Sequence, residues 1–300
     1  MTYPSYISLC KNGELDARAK IALTMLENCK LCPRKCGVNR KRGEIGFCKT
    51  GRYAKIASYA PHFGEESVLS GTRGSGTIFI SGCNLLCAFC QNYSTSHAEE
   101  GYEVSAEKFA DIMITLMKLG CHNINIVTPS HIVPQFLESL PLAVEKGLNI
   151  PIVYNCGGYE NTETLKLLNG IVDIYMPDFK FWENKWAKLL CNAEDYRDYA
   201  VKAVIEMHSQ VGDLIIDNHI AKRGLLIRHL VMPNNIADTY KIMSLMAKKV
   251  SPHTAVNIMD QYYPCANAYK FPVIARRISQ EEYHTAVEAT RKTGIYRLIS

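Results

Sequence analysis

"GTIFISGCNLLCAFCQN", residues 76–92, sets three cysteines, Cys83, Cys87 and Cys90, directly behind a short β-branched run. A closed structural metal site recruits four Cys or His ligands. The nearest downstream histidine, His97, lies seven residues past Cys90, outside the roughly three-to-five spacing of a zinc finger. Thiolates suit iron–sulfur clusters, and a cubane held by only three of them leaves one iron without a protein ligand. Such an iron can bind substrate. The stretch therefore predicts a strand followed by a metal-binding loop with one open coordination position.

Downstream, short apolar runs alternate with stretches of helical period. The strand candidates are "TIFIS" (77–81), "NINIVT" (123–128), "IPIVYN" (150–155), "VDIYMP" (172–177), "LLIRHLVM" (225–232) and "AVNIMDQY" (255–262). Each is almost continuously apolar, as strands covered on both faces must be. Helices are predicted over 105–119, with Phe109, Ile112, Met113, Leu116 and Met117 on one stripe, and over 236–249. A last helix opens with the capping-box pair Ser279 and Glu282 and closes near Gly294. Six such βα units imply an α/β fold with parallel strands, either an open doubly wound sheet or a partial (β/α)6 barrel. No Gly-x-Gly-x-x-Gly follows the first strand, which counts against the dinucleotide-binding version.

Residues 1–75 lack this rhythm and read as a Cys-rich, metal-binding N-terminal extension to a barrel domain over 76–300. They hold an amphipathic stretch (15–26), then "CKLCPRKCGVNRKRGEIGFC", then "KIASYAPHFGEESVLSG", which reads as strand and turn. Cys29, Cys32, Cys36 and Cys48 lie within twenty residues punctuated by Pro33, Gly37, Gly43 and Gly46. That spacing predicts a compact metal knuckle, holding either zinc or a second [4Fe–4S] cluster. Arg34, Lys35, Arg40, Lys41 and Arg42 crowd it; such runs are mostly solvated loops, or a docking face for an acidic flavodoxin or ferredoxin.

A chain of 300 residues with 47% hydrophobic content can bury a large core. Its net charge, 34 Lys and Arg against 29 Asp and Glu for +5, is too dilute to demand nucleic acid, which makes that partner an unfavoured one. No apolar run reaches the roughly 18 residues that cross a bilayer, and the first residues do not form a signal segment. A cytoplasmic protein is expected. Twelve cysteines without a secretory segment point to metal rather than disulfides. Five of them, Cys10, Cys121, Cys156, Cys191 and Cys265, are scattered and read as small buried hydrophobes.

Cys-x3-Cys-x2-Cys, with the aromatic Phe89 before its last cysteine and on the loop after the first strand of a βα series, resembles the signature of the radical S-adenosylmethionine (SAM) superfamily. The resemblance implies a [4Fe–4S] cluster on Cys83, Cys87 and Cys90 whose open iron takes the methionine part of SAM. It implies reductive cleavage of SAM to a 5'-deoxyadenosyl radical, an electron donor such as flavodoxin or ferredoxin, and a partial barrel with the cluster at its strand ends. Within the superfamily the chain is similar to proteins related to pyruvate formate-lyase activating enzyme, over roughly residues 20–270. On that similarity Asp178-Phe179-Lys180 matches the Asp-x-Lys that contacts the cofactor. Asn155 with Gly157 and Gly158 stands where the ribose is held, and Arg228 with His229 is expected on the inner face of the fifth strand. Where that branch carries Gly-Gly-Glu for the methionine amine, this chain has Thr128-Pro129-Ser130-His131. The hydroxyls of Thr128 and Ser130 can accept a hydrogen bond in the carboxylate's place.

The implied reaction is hydrogen abstraction, from a glycine of a partner enzyme or from another protein, an RNA or a small molecule. The rival from another class is a zinc-knuckle module that holds nucleic acid with its basic loop. His62, Glu65 and Glu66 read as a surface turn rather than part of the active-site mouth. Gln261 and Tyr262 face the pocket only if the register of the sixth strand holds.

Overall fold

Apolar runs bounded by turns become nine strands among the described residues, 3–98 and 100–300, of the computed structural model. They are β1 (Ala54–His62), β2 (Ser75–Ile80), β3 (Tyr102–Val104), β4 (Ile124–Val127), β5 (Ile152–Cys156), β6 (Ile174–Pro177), β7 (Ile215–Asp217), β8 (Ile220–Leu230) and β9 (Ala255–Met259). Parallel ladders join β2 to β4, β4 to β5, β5 to β6, β6 to β8 and β8 to β9. All residues of β4, β5 and β6 are buried, which is why they read as unbroken apolar runs.

The register lines up the carboxyl ends of these strands. Phe79 pairs with Val127, Val127 with Asn155, and Asn155 with Met176, while a bridge joins Asp178 to Arg228. Residues from five of the six parallel strands, with Asp178 just past the end of β6, line one cleft at that end, which a flat sheet cannot arrange. No ladder joins β9 back to β2 among the described residues. The fold is thus the partial barrel of six parallel strands that the sequence predicts.

Three antiparallel strands extend it. From the first 75 residues, β1 pairs with β2 on one side and with β3 on the other. β7 and β8 form a hairpin turning at Asn218 and His219, both at positive φ, as a two-residue hairpin loop requires. The fifth predicted strand therefore begins five residues earlier than its apolar run, at Ile220 rather than Leu225.

Helices cover the outside. Ala106–Lys118 is capped by Ser105, whose side chain accepts from the Lys108 N–H, and packs beside Val133–Glu145. The closing helix, Gln280–Lys292, carries the full capping box of Ser279 and Glu282. The helix predicted over 236–249 starts only at Thr239 and ends as a π turn over Met246–Val250. Asn234, Asn235 and Asp238 all sit at positive φ, so the right-handed turn cannot begin before them. Among the described residues no helix is long and apolar enough to cross a membrane.

Candidate active site

The loop after β2 carries the three predicted ligands, and its shape depends on one glycine. Gly82 has φ +82°, and a Cβ there would lie 2.3 Å from the backbone oxygen of Cys48. The loop is also held from outside, where the Ala88 N–H donates to Leu190 O at 2.7 Å and the Asn267 N–H to Ala88 O at 2.8 Å. Cys83, Cys87 and Cys90 all line the cleft, with Phe89 packed edge-on against Phe181 and Tyr262. Cys90 Sγ lies 3.2 Å from Ser96 Oγ.

Three soft donors on one concave wall, with a charged network opposite, fit a thiolate-ligated iron–sulfur cluster. Burial pushes the Cys83 thiol up to about 12, and Cys90 upward too. The neighbouring Cys191 thiol, with burial, raises Cys87 further. Bare, these groups stay protonated, and bound metal is what would draw the protons off.

The opposite wall is built by the ends of β5, β6 and β8. Asp178 accepts from Arg228 Nε at 2.8 Å and from Lys180 Nζ at 2.6 Å, and Arg228 Nη2 donates to Asn155 Oδ1 at 2.8 Å. Burial works against the Asp178 carboxylate, but Arg228 and Lys180 outweigh it and hold it below the usual carboxylate range. Burial likewise opposes charge on Lys180, which Asp178 keeps well above an ordinary lysine. Gly158, at φ +77°, lets the chain pass where a Cβ would come within 2.3 Å of Asp178 O. Tyr196 clamps this turn: its hydroxyl donates to Gly157 O at 2.9 Å and accepts the Lys180 N–H at 2.9 Å.

Thr128, Asn155, Gly157, Asp178, Lys180 and Arg228 all line the cleft with the three cysteines. Ser130 and His229 do not. Ser130 is buried and its hydroxyl donates to Glu160. His229 follows Arg228 in a strand, so it faces the other side. Its ring nitrogens lie 2.9 Å from Phe179 O and 2.9 Å from Thr239 Oγ1. The expectation that Arg228 and His229 share an inner face is corrected by that alternation. Gln261 lines the cleft, whereas the Tyr262 hydroxyl turns to Ile274 O.

Thr128 carries φ +63° and ψ +50°, a left-handed conformation strained for a β-branched residue. Glycine, which the resemblance leads one to expect at this turn, would adopt that conformation without strain. Glu65 is the contributor that the sequence reading placed on a surface turn. It lies 3.6 Å from Arg228 Nη1 and largely out of solvent, while Glu66 is buried and accepts from Asn257 at 3.0 Å. Only a contact between residues 163 positions apart reveals Glu65, and no local pattern encodes it.

The N-terminal knuckle abuts this loop. Arg34 stacks 3.8 Å over Phe47 and donates through Nε to Asn84 O at 2.8 Å. Arg40 is 1% exposed. Those two cations are therefore structural, and of the predicted basic run only Lys35, Lys41 and Arg42 are exposed.

An uncharacterized protein of Methanocaldococcus jannaschii, MJ0674, is 33% identical over 294 residues, covering 95% of this chain and 80% of its own length. A second from that organism, MJ0808, is 25% identical over 260 residues, covering 79% of this chain and 70% of its own length. The crystal structure of methylornithine synthase (PylB) superposes with a TM-score of 0.47 at 15% identity, over 70% of this chain; the chain spans 60% of that protein. Residues 77–246 match the Radical SAM superfamily, and the match begins on β2 and runs through the cysteine loop and the Asp178 network. On that match, the chain belongs to the radical SAM superfamily.

Proposed function

We propose that the protein cleaves SAM reductively in this cleft, with the cluster on Cys83, Cys87 and Cys90, and that the radical takes hydrogen from a glycine of a partner polypeptide. The observation that carries the cleavage reading is that the three thiols share one cleft with the Asp178–Arg228–Asn155 network. When bound, the cluster supplies the electron that splits the sulfonium. Asp178 and Lys180 offer opposite charges to the polar parts of the cofactor, Asn155 offers an amide, and the Thr128 hydroxyl takes the place of the missing glutamate. Phe89, Leu85 and Met259 give the cleft its apolar wall and keep water from the radical.

The polypeptide substrate is supported by the resemblance to pyruvate formate-lyase activating enzyme and by the cleft's rim. There Tyr93 and Tyr263, 40% and 38% exposed, flank the lining residues Gln91, Asn92 and Gln261. A flavodoxin- or ferredoxin-like donor supplies the electron. The cleavage reading is tested by single alanine variants at Cys83, Cys87 and Cys90: 5'-deoxyadenosine produced by any of them with dithionite would overturn it. The substrate reading is tested with glycine-deuterated candidate partners. Deuterium should appear in 5'-deoxyadenosine; its arrival instead from labelled RNA or a small molecule would replace the polypeptide.

A further inference from the structure

The N-terminal knuckle contains a second set of soft ligands that the SAM cleft does not use. Its path is fixed by left-handed residues at Lys35, Gly37, Gly43 and Lys49. The Lys35 N–H donates to Cys32 O at 3.1 Å, Gly37 N–H to Cys29 O at 3.0 Å, and Cys29 N–H to Val38 O at 3.0 Å. Gly46 is required by proximity, since a Cβ there would stand 2.5 Å from Cys36 Sγ. These turns bring Cys29, Cys32, Cys36 and Cys48 onto the wall of one small cavity, shared with Arg40 and His131.

Two buried polar atoms on that wall have no oxygen or nitrogen partner. Arg40 is 1% exposed; its Nε donates to Gly51 O at 2.9 Å and its Nη1 to His131 O at 2.7 Å, while Nη2 has no oxygen or nitrogen acceptor and the guanidinium lies beside the Cys29 thiol. Among the described residues no carboxylate pairs with it. His131, also 1% exposed, stands with Nε2 2.9 Å from Ser81 O. A carbonyl only accepts, so Nε2 carries the proton and Nδ1 is a bare, unpartnered acceptor. A buried guanidinium that no carboxylate offsets lacks a counter-charge, and an unmet buried polar atom is destabilising. Four thiolates around a metal centre leave net negative charge beside Arg40 and remove that deficit.

The neighbourhood of the site separates one ion from a cluster. The four thiols line one hollow, and the Cys48 carbonyl stands where a Cβ on Gly82, the residue before Cys83, would come within 2.3 Å. A centre held here lies beside the cleft that must receive an electron. Zinc is redox-inert and would only brace the fold, whereas an iron–sulfur cluster on four thiolates can pass an electron on. We propose that Cys29, Cys32, Cys36 and Cys48 hold a second [4Fe–4S] cluster, with the Arg40 guanidinium donating to it.

The test reads metals rather than SAM chemistry, so it stands or falls apart from the proposed activity. Wild-type protein, reconstituted anaerobically with ferrous iron and sulfide, should carry about eight irons and no zinc. The Cys83→Ala/Cys87→Ala/Cys90→Ala variant should keep about four irons and a brown colour, and Cys29→Ala/Cys32→Ala should lose that share from an otherwise intact chain. Arg40→Gln should retain iron but lower the reduction potential of the remaining cluster in the triple variant, because a positive donor has been removed. About four irons with about one zinc in the wild type, or neither metal at Cys29–Cys48, would overturn the proposal even if the triple variant failed to fold. Four irons in the triple variant but none at Cys83–Cys90 in the wild type would instead defeat the cleft reading.

Discussion

The Sγ of Cys191 stands 3.3 Å from the Sγ of Cys87. Cys191 ends the helix Asn184–Cys191, is 1% exposed, and is brought there because Leu190 O accepts the Ala88 N–H while Cys191 O accepts from Arg34 at 2.9 Å. A cysteine that reads alone as a small hydrophobe is thus a neighbour of a proposed cluster ligand. In metal-free protein, mild oxidation should join Cys87 to Cys191, and cluster-loaded protein should resist it because the Cys87 sulfur is engaged. Non-reducing peptide mapping reads the linkage. Equal linkage with and without the cluster, or none in either, would refute the arrangement.

Asp178 offsets two buried cations, so its removal should have consequences that the removal of Lys180 does not. Asp178→Asn leaves Lys180 uncompensated and Arg228 with only the longer contact to Glu65, and should cost about 3–5 kcal/mol of stability. Lys180→Met leaves the Asp178–Arg228 pair intact and should cost less, while weakening SAM binding by about 1–3 kcal/mol. Thermal unfolding and SAM titration, run on both variants, check the contrast. The same loss of stability in both would show that Asp178 is not the centre of the network.

Thr128→Gly should separate stability from binding. Glycine accepts φ +63° without strain, which a β-branched residue does not, so relief of strain should outweigh the greater freedom of an unfolded glycine by about 1 kcal/mol. The hydroxyl proposed for the methionine amine is lost, and SAM affinity should fall. A higher melting temperature with weaker SAM binding is the expected pair; a lower melting temperature would show that the Thr128 side chain holds the loop together.

Glu160 should make stability depend on pH. Burial pushes its carboxyl up to about 7, against hydrogen bonds from Ser130 and from the Tyr154 hydroxyl at 3.0 Å. The folded state then binds more protons than the unfolded one between the ordinary glutamate range, about 4.5, and 7. Stability from this group is complete below that window and is lost as pH rises through it, by on the order of 3 kcal/mol at most. Glu160→Gln should flatten the slope in denaturant unfolding between pH 5 and about 7. An unchanged slope would show that Glu160 is ionised in the fold.

The six parallel strands were legible because each is covered on both faces and so shows an unbroken apolar run. β3 and β7 were missed for the opposite reason: each is three residues long and mostly exposed, with its hydrogen-bonding partner encoded elsewhere. The cysteine loop was legible from spacing alone, and Asp178 and Lys180 from resemblance. Glu65, Cys191 and Arg40 were not, because each acquires its meaning from a contact more than ninety positions away. The pairing of Arg228 with His229 failed on a local rule, the two-residue period of a strand, that the sequence itself states.

The contact between Gly82 and the Cys48 carbonyl makes the two cysteine loops neighbours with a common wall. A backbone shift in either loop, as it takes up its proposed cluster, is felt by the other. Assembly is thereby a thermodynamic linkage: whatever factor filling one site contributes to the affinity of its neighbour, filling the neighbour must return in full, whichever fills first. A side chain at position 82 would push the loops apart and weaken that coupling, so the residue just before the first cysteine of the motif ties the two proposed sites together as well as shaping the cleft.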